Sequence, residues 1–267
     1  MAEAGPSDKL AGRRLYLCTA DRPDLGPFLA ACIRGGVDLV QLRDKHLQAR
    51  PLLRRASVAI DVCRRHGVPF ILNDRPDLAL ACGADGVHVG QDDVPPAIAR
   101  RILGPDALVG RSTHAPEELV AALAEPVDYL SAGPVTPTPT KPGRPGTGLG
   151  YLRQAARLVG RDPGEGPTGP SEAAEIMPAT PAGPAGPATP ATPAGAAGPA
   201  DRPLGPGHIP RPWFVTGGVT PTAVAEMAAA GATRFVVVRY LTEAEDPEGN
   251  ARTLAESIDQ AVAASRR

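Results

Sequence analysis

Eight short apolar runs bounded by turn residues recur along this chain, and most are followed by a helical pattern. The runs read as strands at Leu15–Thr19, Leu39–Leu42, Phe70–Asn73, Gly86–Val89, Leu108–Arg111, Tyr129–Ala132, Trp213–Thr216 and Phe235–Val238. Helices are expected over Asp24–Arg34, Leu47–His66, Pro95–Leu103, Pro116–Ala124, Gly150–Val159, Pro221–Ala230 and Asn250–Ala264, several opened by a proline in the first turn. Eight such βα units predict an α/β fold of the TIM (β/α)8 type, with a doubly wound open sheet as the alternative. The length of 267 residues suits one such barrel.

A single catalytic domain spanning 1–267 is therefore expected, interrupted at 161–211 by a segment of Pro, Ala, Gly and Thr. That composition cannot bury a core, and glycine does not recur at every third residue as collagen requires, so the segment reads as a disordered insertion. Its place between the sixth helix and the seventh strand predicts that it leaves the barrel on the N-terminal face, away from the strand C-termini.

A net charge of -1 offers no field for nucleic acid or a membrane surface. No apolar run is long enough to span a bilayer, and Met1–Arg14 lacks the apolar core of a signal peptide. Cys18, Cys32, Cys63 and Cys82 lack CxxC spacing and read as reduced thiols of a cytoplasmic protein, each a small buried apolar residue. The chain has only three lysines, at 9, 45 and 141, and only two asparagines, at 73 and 250. A lysine or asparagine inside a polar cluster of so biased a chain suggests chemical need.

Polar clusters stand where the runs end, and in a barrel all strand C-termini open on one face. Gln41, Arg43 and Lys45 alternate, so they share a face if the second strand continues through them, and together they suit an anion. The bland alternative is a solvated charge run. Asn73-Asp74 and Gly90-Gln91-Asp92-Asp93 follow adjacent strands, so two carboxylates can meet at one Mg²⁺ that keeps water and substrate phosphate as its other ligands. Helix capping by Asp74 or Asp93 is the competing role. His88 alternates within its strand and reads as structural.

The loop after the sixth strand, Gly133 to Gly143, is long, suits a lid, and carries hydroxyls and Lys141, while glycines at 143, 146 and 148 are expected to allow hinging. Gly217-Gly218 before a helix start, and Val238-Arg239, occupy the two loops where this barrel commonly holds a phosphate.

The ordered set Gln41-x-Arg43-x-Lys45, Asn73-Asp74, Gly90-Gln91-x-Asp93, Gly110-x-Ser112-x-His114, Pro137-Thr138-x-Thr140-Lys141 and Gly217-Gly218 resembles the thiamine-phosphate synthase family. The resemblance covers the chain apart from the insertion and the extreme termini. It implies the coupling of hydroxymethylpyrimidine diphosphate with a thiazole phosphate, with early loss of diphosphate from the pyrimidine methylene and attack by the thiazole nitrogen. It further implies that Gln41, Arg43, Lys45, Asn73, Ser112 and Lys141 hold the pyrimidine diphosphate. Asp74 and Asp93, rather than Asp92, would hold Mg²⁺, and Thr138, Thr140, Gly218, Val238 and Arg239 the thiazole phosphate. Arg239 departs from the small residue common in the family. A thiazole tautomerase and a non-catalytic phosphate-binding barrel are the rival readings, and a homo-oligomer is left open.

Overall fold

The computed structural model describes residues 6–138, 143, 145–159 and 211–267. Eight parallel strands close into a barrel in sequence order: β1 (Leu15–Thr19), β2 (Leu39–Leu42), β3 (Phe70–Asn73), β4 (Gly86–Val89), β5 (Leu108–Thr113), β6 (Tyr129–Ala132), β7 (Trp213–Thr216) and β8 (Phe235–Val237). The ring is completed by β8 pairing with β1, where Tyr16 stands beside Val236.

Each strand divides its residues between two cores, as a period of two requires. Leu17, Val40, Leu72, Val109, Leu130 and Val215 face the helices, while Tyr16, Leu39, Ile71, Leu108, Tyr129, Phe214 and Val236 fill the barrel. The surrounding helices are α2 (Leu25–Arg34), α3 (Ala49–His66), α4 (Pro76–Cys82), α5 (Pro96–Leu103), α6 (Pro116–Leu123), α7 (Gly148–Val159), α8 (Pro221–Ala229) and α10 (Pro247–Ser265), with short α1 (Pro6–Leu10) before β1 and α9 (Arg239–Thr242) after β8. In α3 the buried Leu52, Ala56, Ala59, Ile60 and Cys63 lie three or four apart, the stripe of a helix with one covered face.

The differences from the expected elements have local causes. β5 runs two residues further because Ser112 and Thr113 stay in the ladder beside Ser131 and Ala132. β8 stops one residue earlier, where Val238 turns into α9. α10 starts three residues earlier because the Asp246 carboxylate accepts the Gly249 N–H and caps it. α4 was not expected; it is held between Pro76 in its first turn and Gly83, left-handed at φ 69°, at its end.

At the N-terminal end, Leu10 of α1 plugs the barrel against Leu39, Ile71 and Leu108. Three aspartates immediately preceding even-numbered strands bind the first amides of their neighbours. Asp38 accepts from Arg14 and Leu15, Asp85 from Phe70, and Asp128 from Val109, at 2.7–3.0 Å. The equivalent position before β8 is Arg234, which is buried and donates to the Leu10 and Arg13 carbonyls. Residues 161–210 of the expected insertion lie outside the described residues. Its flanks do stand at this end: α7 finishes at Val159, and Arg211 donates to the Leu123 carbonyl at the end of α6 (2.6 Å). Among the described residues no helix is long and apolar enough to cross a membrane.

Candidate active site

Two residues along five of the strands, the barrel lining changes character. Leu39 gives way to Gln41, Ile71 to Asn73, Gly86 to His88, Tyr129 to Ser131 and Phe214 to Thr216. The polar layer is joined by hydrogen bonds across the barrel. Cys18 donates to Gln41 Oε1 (3.3 Å), Gln41 Nε2 donates to the Tyr16 hydroxyl, and that hydroxyl meets Tyr129 at 2.9 Å. The Tyr129 hydroxyl lies 3.2 Å from His88 Nδ1, His88 Nε2 lies 2.9 Å from Ser112 Oγ, and Ser131 donates to Ser112. Burial holds both tyrosines far above the ordinary phenol range, so they remain neutral. Cys18 is thus a hydrogen-bond donor as well as a packing residue. Burial pushes the Cys32 and Cys63 thiols up to about 12, as suits unreactive core residues.

The second strand does not carry Arg43 and Lys45 onward on one face. It stops at Leu42, where the Asp44 carboxylate accepts the N–H groups of His46 (2.9 Å), Leu47 (3.0 Å) and Asp21 (3.3 Å) and turns the chain. The turn separates the two cations. Arg43 faces a cleft of about 380 Å³ with Cys18, Thr19 and Arg22, whereas Lys45 reaches Asp74 at 3.1 Å.

The Asp74 and Asp93 carboxyls stand close enough to interact directly. Burial and the neighbouring Asp93 push the Asp74 carboxyl above the usual range, against the pull of Lys45. Burial also acts upward on Asp93, but the Asp74 carboxyl, the Gly90 N–H and the charges of Lys45 and His88 outweigh it and hold Asp93 low. Neither carboxylate caps a helix: the cap positions of α4 and α5 are Arg75 and Pro95. Asp74 itself sits at φ 62°, a left-handed conformation that asparagine and aspartate tolerate best among side-chain-bearing residues. Asp92 points to solvent. Among the described residues no group of three or more His, Cys, Asp or Glu side chains surrounds one point, so an ion here would need ligands from outside the protein.

A second pocket, of about 90 Å³, lies over the ends of β7 and β8 and is lined by Thr138, Gly217, Gly218, Val238 and Arg239, among others. Loops six and seven interlock beside it. Gly217 (φ 93°) and Gly218 (φ 76°) press on Pro134 and Thr136, and a β-carbon at either would come within 2.5 Å of them. Gly146 is equally tight, its missing β-carbon aimed at the Val135 carbonyl, so it serves close packing where hinging was expected. The base of loop six is pinned by Thr147 and Gly148 donating to Pro134 and Val135. Thr140 and Lys141 lie outside the described residues, as does that part of the loop in which a lid is expected. A wider cleft of about 810 Å³ between α6 and α7 has His114 and Arg153 in its wall and shares Pro134 with the pocket over β7 and β8.

Between the two regions a space of about 50 Å³ opens over the barrel lining, bounded by Gln41, Arg43, His88, Ser112, Ser131 and Thr216. It shares Thr216, Val236 and Val238 with the loop-seven pocket, and Cys18, Arg43 and Val238 with the Arg43 cleft. The mouth is one continuous surface with Val238 at its centre. Of the expected site residues, the structure brings Gln41, Arg43, Ser112 and Val238 around this space and Lys45, Asp74 and Asp93 to its side, with Asn73 buried at the end of β3 next to Asp74. Tyr16, Tyr129, Ser131 and Thr216 join this layer although no motif points to them, and His88, read as structural, is buried there between Tyr129 and Ser112. The signal was available, since each lies at an inward position of its strand.

The sequence family described as thiamine monophosphate synthase matches residues 15–163. A thiamine-phosphate synthase of Mycobacterium sp. (strain KMS) is 40% identical over 266 residues, covering 95% of each chain. That of Thermus thermophilus is 41% identical over 252 residues, covering 92% of this chain and 97% of its own. Among solved structures, thiamine phosphate pyrophosphorylase from Pyrococcus furiosus superposes with a TM-score of 0.68 over 96% of this chain and 98% of that one; its 22% identity bears on the fold alone.

Proposed function

Because this chain belongs to the thiamine monophosphate synthase family and is thereby a transferase, we propose that its barrel mouth couples hydroxymethylpyrimidine diphosphate to hydroxyethylthiazole phosphate, giving thiamine phosphate and diphosphate. The observation that carries this reading is the shared wall of Thr216, Val236 and Val238 between the strand-lining space and the loop-seven pocket. Two ligands held on either side of Val238 would meet there.

In this reading the pyrimidine lies over the lining layer. Gln41 is oriented by Tyr16 and Cys18, which leaves one of its amide N–H groups for a ring nitrogen. Ser112, set by His88, and Asn73 face the diphosphate side, and Arg43, Lys45 and Lys141 supply positive charge to the departing diphosphate. The thiazole phosphate fits the Gly217-Gly218 amides with Thr138, Val238 and Arg239 beside them, and the family resemblance adds Thr140. No protein nucleophile is required, because the thiazole nitrogen forms the new carbon–nitrogen bond while the diphosphate carbon–oxygen bond breaks.

Asp74 and Asp93 fit Mg²⁺. Two carboxylates this close repel each other, and burial with Asp93 alongside pushes the Asp74 carboxyl above its usual range; a divalent cation between them would relieve that repulsion. When bound, the ion would neutralise charge on the diphosphate oxygens that complete its coordination. A thiazole tautomerase would have no use for this acidic pair beside Lys45, which favours coupling.

The test is to supply both substrates and Mg²⁺ and measure thiamine phosphate and diphosphate. Asp74→Asn and Asp93→Asn should each raise the Mg²⁺ concentration for half-maximal rate by roughly tenfold or more, with Asp92→Asn changing it by less than about twofold. The same metal dependence in all four proteins would refute the assignment of the pair.

A further inference from the structure

We propose that Arg111, on the outer face of β5, is a positioning residue that holds the loop after β4 in the shape that presents Asp93. This rests on the reading of Asp74 and Asp93 as ligands of a divalent ion. Arg111 alternates with the inward Ser112, so its side chain passes behind the barrel lining and never touches the mouth. It is 9% exposed. Its guanidinium donates to the Gly90 carbonyl (2.6 Å) and to Gln91 Oε1 (3.3 Å), and Glu125 lies 3.5 Å from its Nε and balances the charge.

The Gly90–Asp93 turn closes weakly through its own main chain, since the Asp93 N–H is 3.4 Å from the Gly90 carbonyl that Arg111 grips at 2.6 Å. The cation therefore supplies much of the closure. On the other side of Gly90, its N–H donates to Asp93 Oδ2 at 2.7 Å, and a β-carbon on Gly90 would stand 2.8 Å from that same oxygen. Gln91 completes the brace by donating from Nε2 to the Ser112 carbonyl at 2.6 Å. Arg111 thus fixes the carbonyl of Gly90, and the conformation of Gly90 fixes where its N–H aims the carboxylate. Buried arginine without such partners would be costly, and the partners here are the loop that carries the ligand.

The experiment compares wild type, Arg111→Met and Arg111→Lys. Mn²⁺ binding is titrated by paramagnetic resonance in the presence of inorganic diphosphate, and Gly90 amide exchange is followed without metal. Arg111→Met should weaken Mn²⁺ binding by roughly tenfold or more and speed Gly90 exchange, with Arg111→Lys intermediate because an ammonium reaches one acceptor where the guanidinium fork reaches two. A folded Arg111→Met protein with wild-type Mn²⁺ affinity overturns the inference, even if its melting temperature falls. Should Arg111→Met fail to fold, wild-type affinity and exchange in Arg111→Lys overturn it equally. Absence of Mn²⁺ binding by the wild type would instead refute the acidic pair as an ion site, and the Gly90 exchange rates would still judge the clamp.

Discussion

Aspartates stand at both ends of this barrel and do opposite work. At the N-terminal end, Asp38, Asp85 and Asp128 each accept main-chain N–H groups at strand starts, so their charge is absorbed by fixed dipoles of the fold. At the C-terminal end, Asp74 faces Asp93 and Lys45, and burial with Asp93 alongside pushes the Asp74 carboxyl above its usual range. The lining shows the same contrast over one strand repeat, from Leu39 and Ile71 to Gln41 and Asn73. One end is complete within the protein; the other is where the proposed ligands would complete it.

The sharpest way to break this division is to damage the closed end and ask whether the open end notices. Leu39→Ala removes a fully buried side chain and should lower unfolding free energy by about 2–5 kcal/mol in urea titrations. KM for both substrates should stay within about twofold, because the structure around a deleted core side chain relaxes only partly. A large KM change with small loss of stability would show that the two ends are one functional unit.

A second effect concerns Asp38, whose carboxyl is raised to about 6 by burial, although the Arg14 and Leu15 N–H groups and the charges of Arg13 and Arg234 act downward. A carboxyl raised on folding favours the protonated native state. The resulting stability is fully present below the unfolded pKa and is lost as pH rises through the folded value. Relative to Asp38→Asn, the wild type should therefore lose up to about 3 kcal/mol between about pH 4 and pH 7, measured by denaturant unfolding. A difference that stays flat with pH would mean that the two backbone donors, and not burial, set this carboxyl.

The smallest expected free-energy change lies at the open end. Arg43→Ala should slow coupling by roughly ten- to a hundredfold through loss of charge-assisted contacts worth about 1.5–3 kcal/mol, with an unfolding midpoint close to wild type. Single-turnover rates within twofold of wild type would remove Arg43 from the diphosphate site.

Much of this contrast is visible along the chain because a strand imposes its period on whatever residues it holds. The ends of β1, β2, β3, β4, β6 and β7 are legible to the residue, and with them the points where Gln41, Asn73 and the acidic loops begin. Less legible is any position decided by a side chain capturing a distant or non-local group. Asp44 turns the chain by binding three N–H groups, one of them from Asp21, and so divides Arg43 from Lys45; alternation alone put the two together. Arg111 reads as one more polar residue in a strand until Gly90, Gln91 and Glu125 are seen around it.

Local preference and periodicity thus determined the eight strands and all the long helices between them, the face on which the chemistry gathers, and the residue types available to it, since each depends on neighbours a few positions apart. Only closure of the barrel decided that Tyr16, Tyr129 and His88 join one hydrogen-bonded layer, that Asp93 stands beside Asp74 and helps push its carboxyl up, and that the loop-seven pocket shares a wall with the Gln41 space. Those are distances and fields between residues far apart in sequence, and they exist only once the strands that carry them stand side by side.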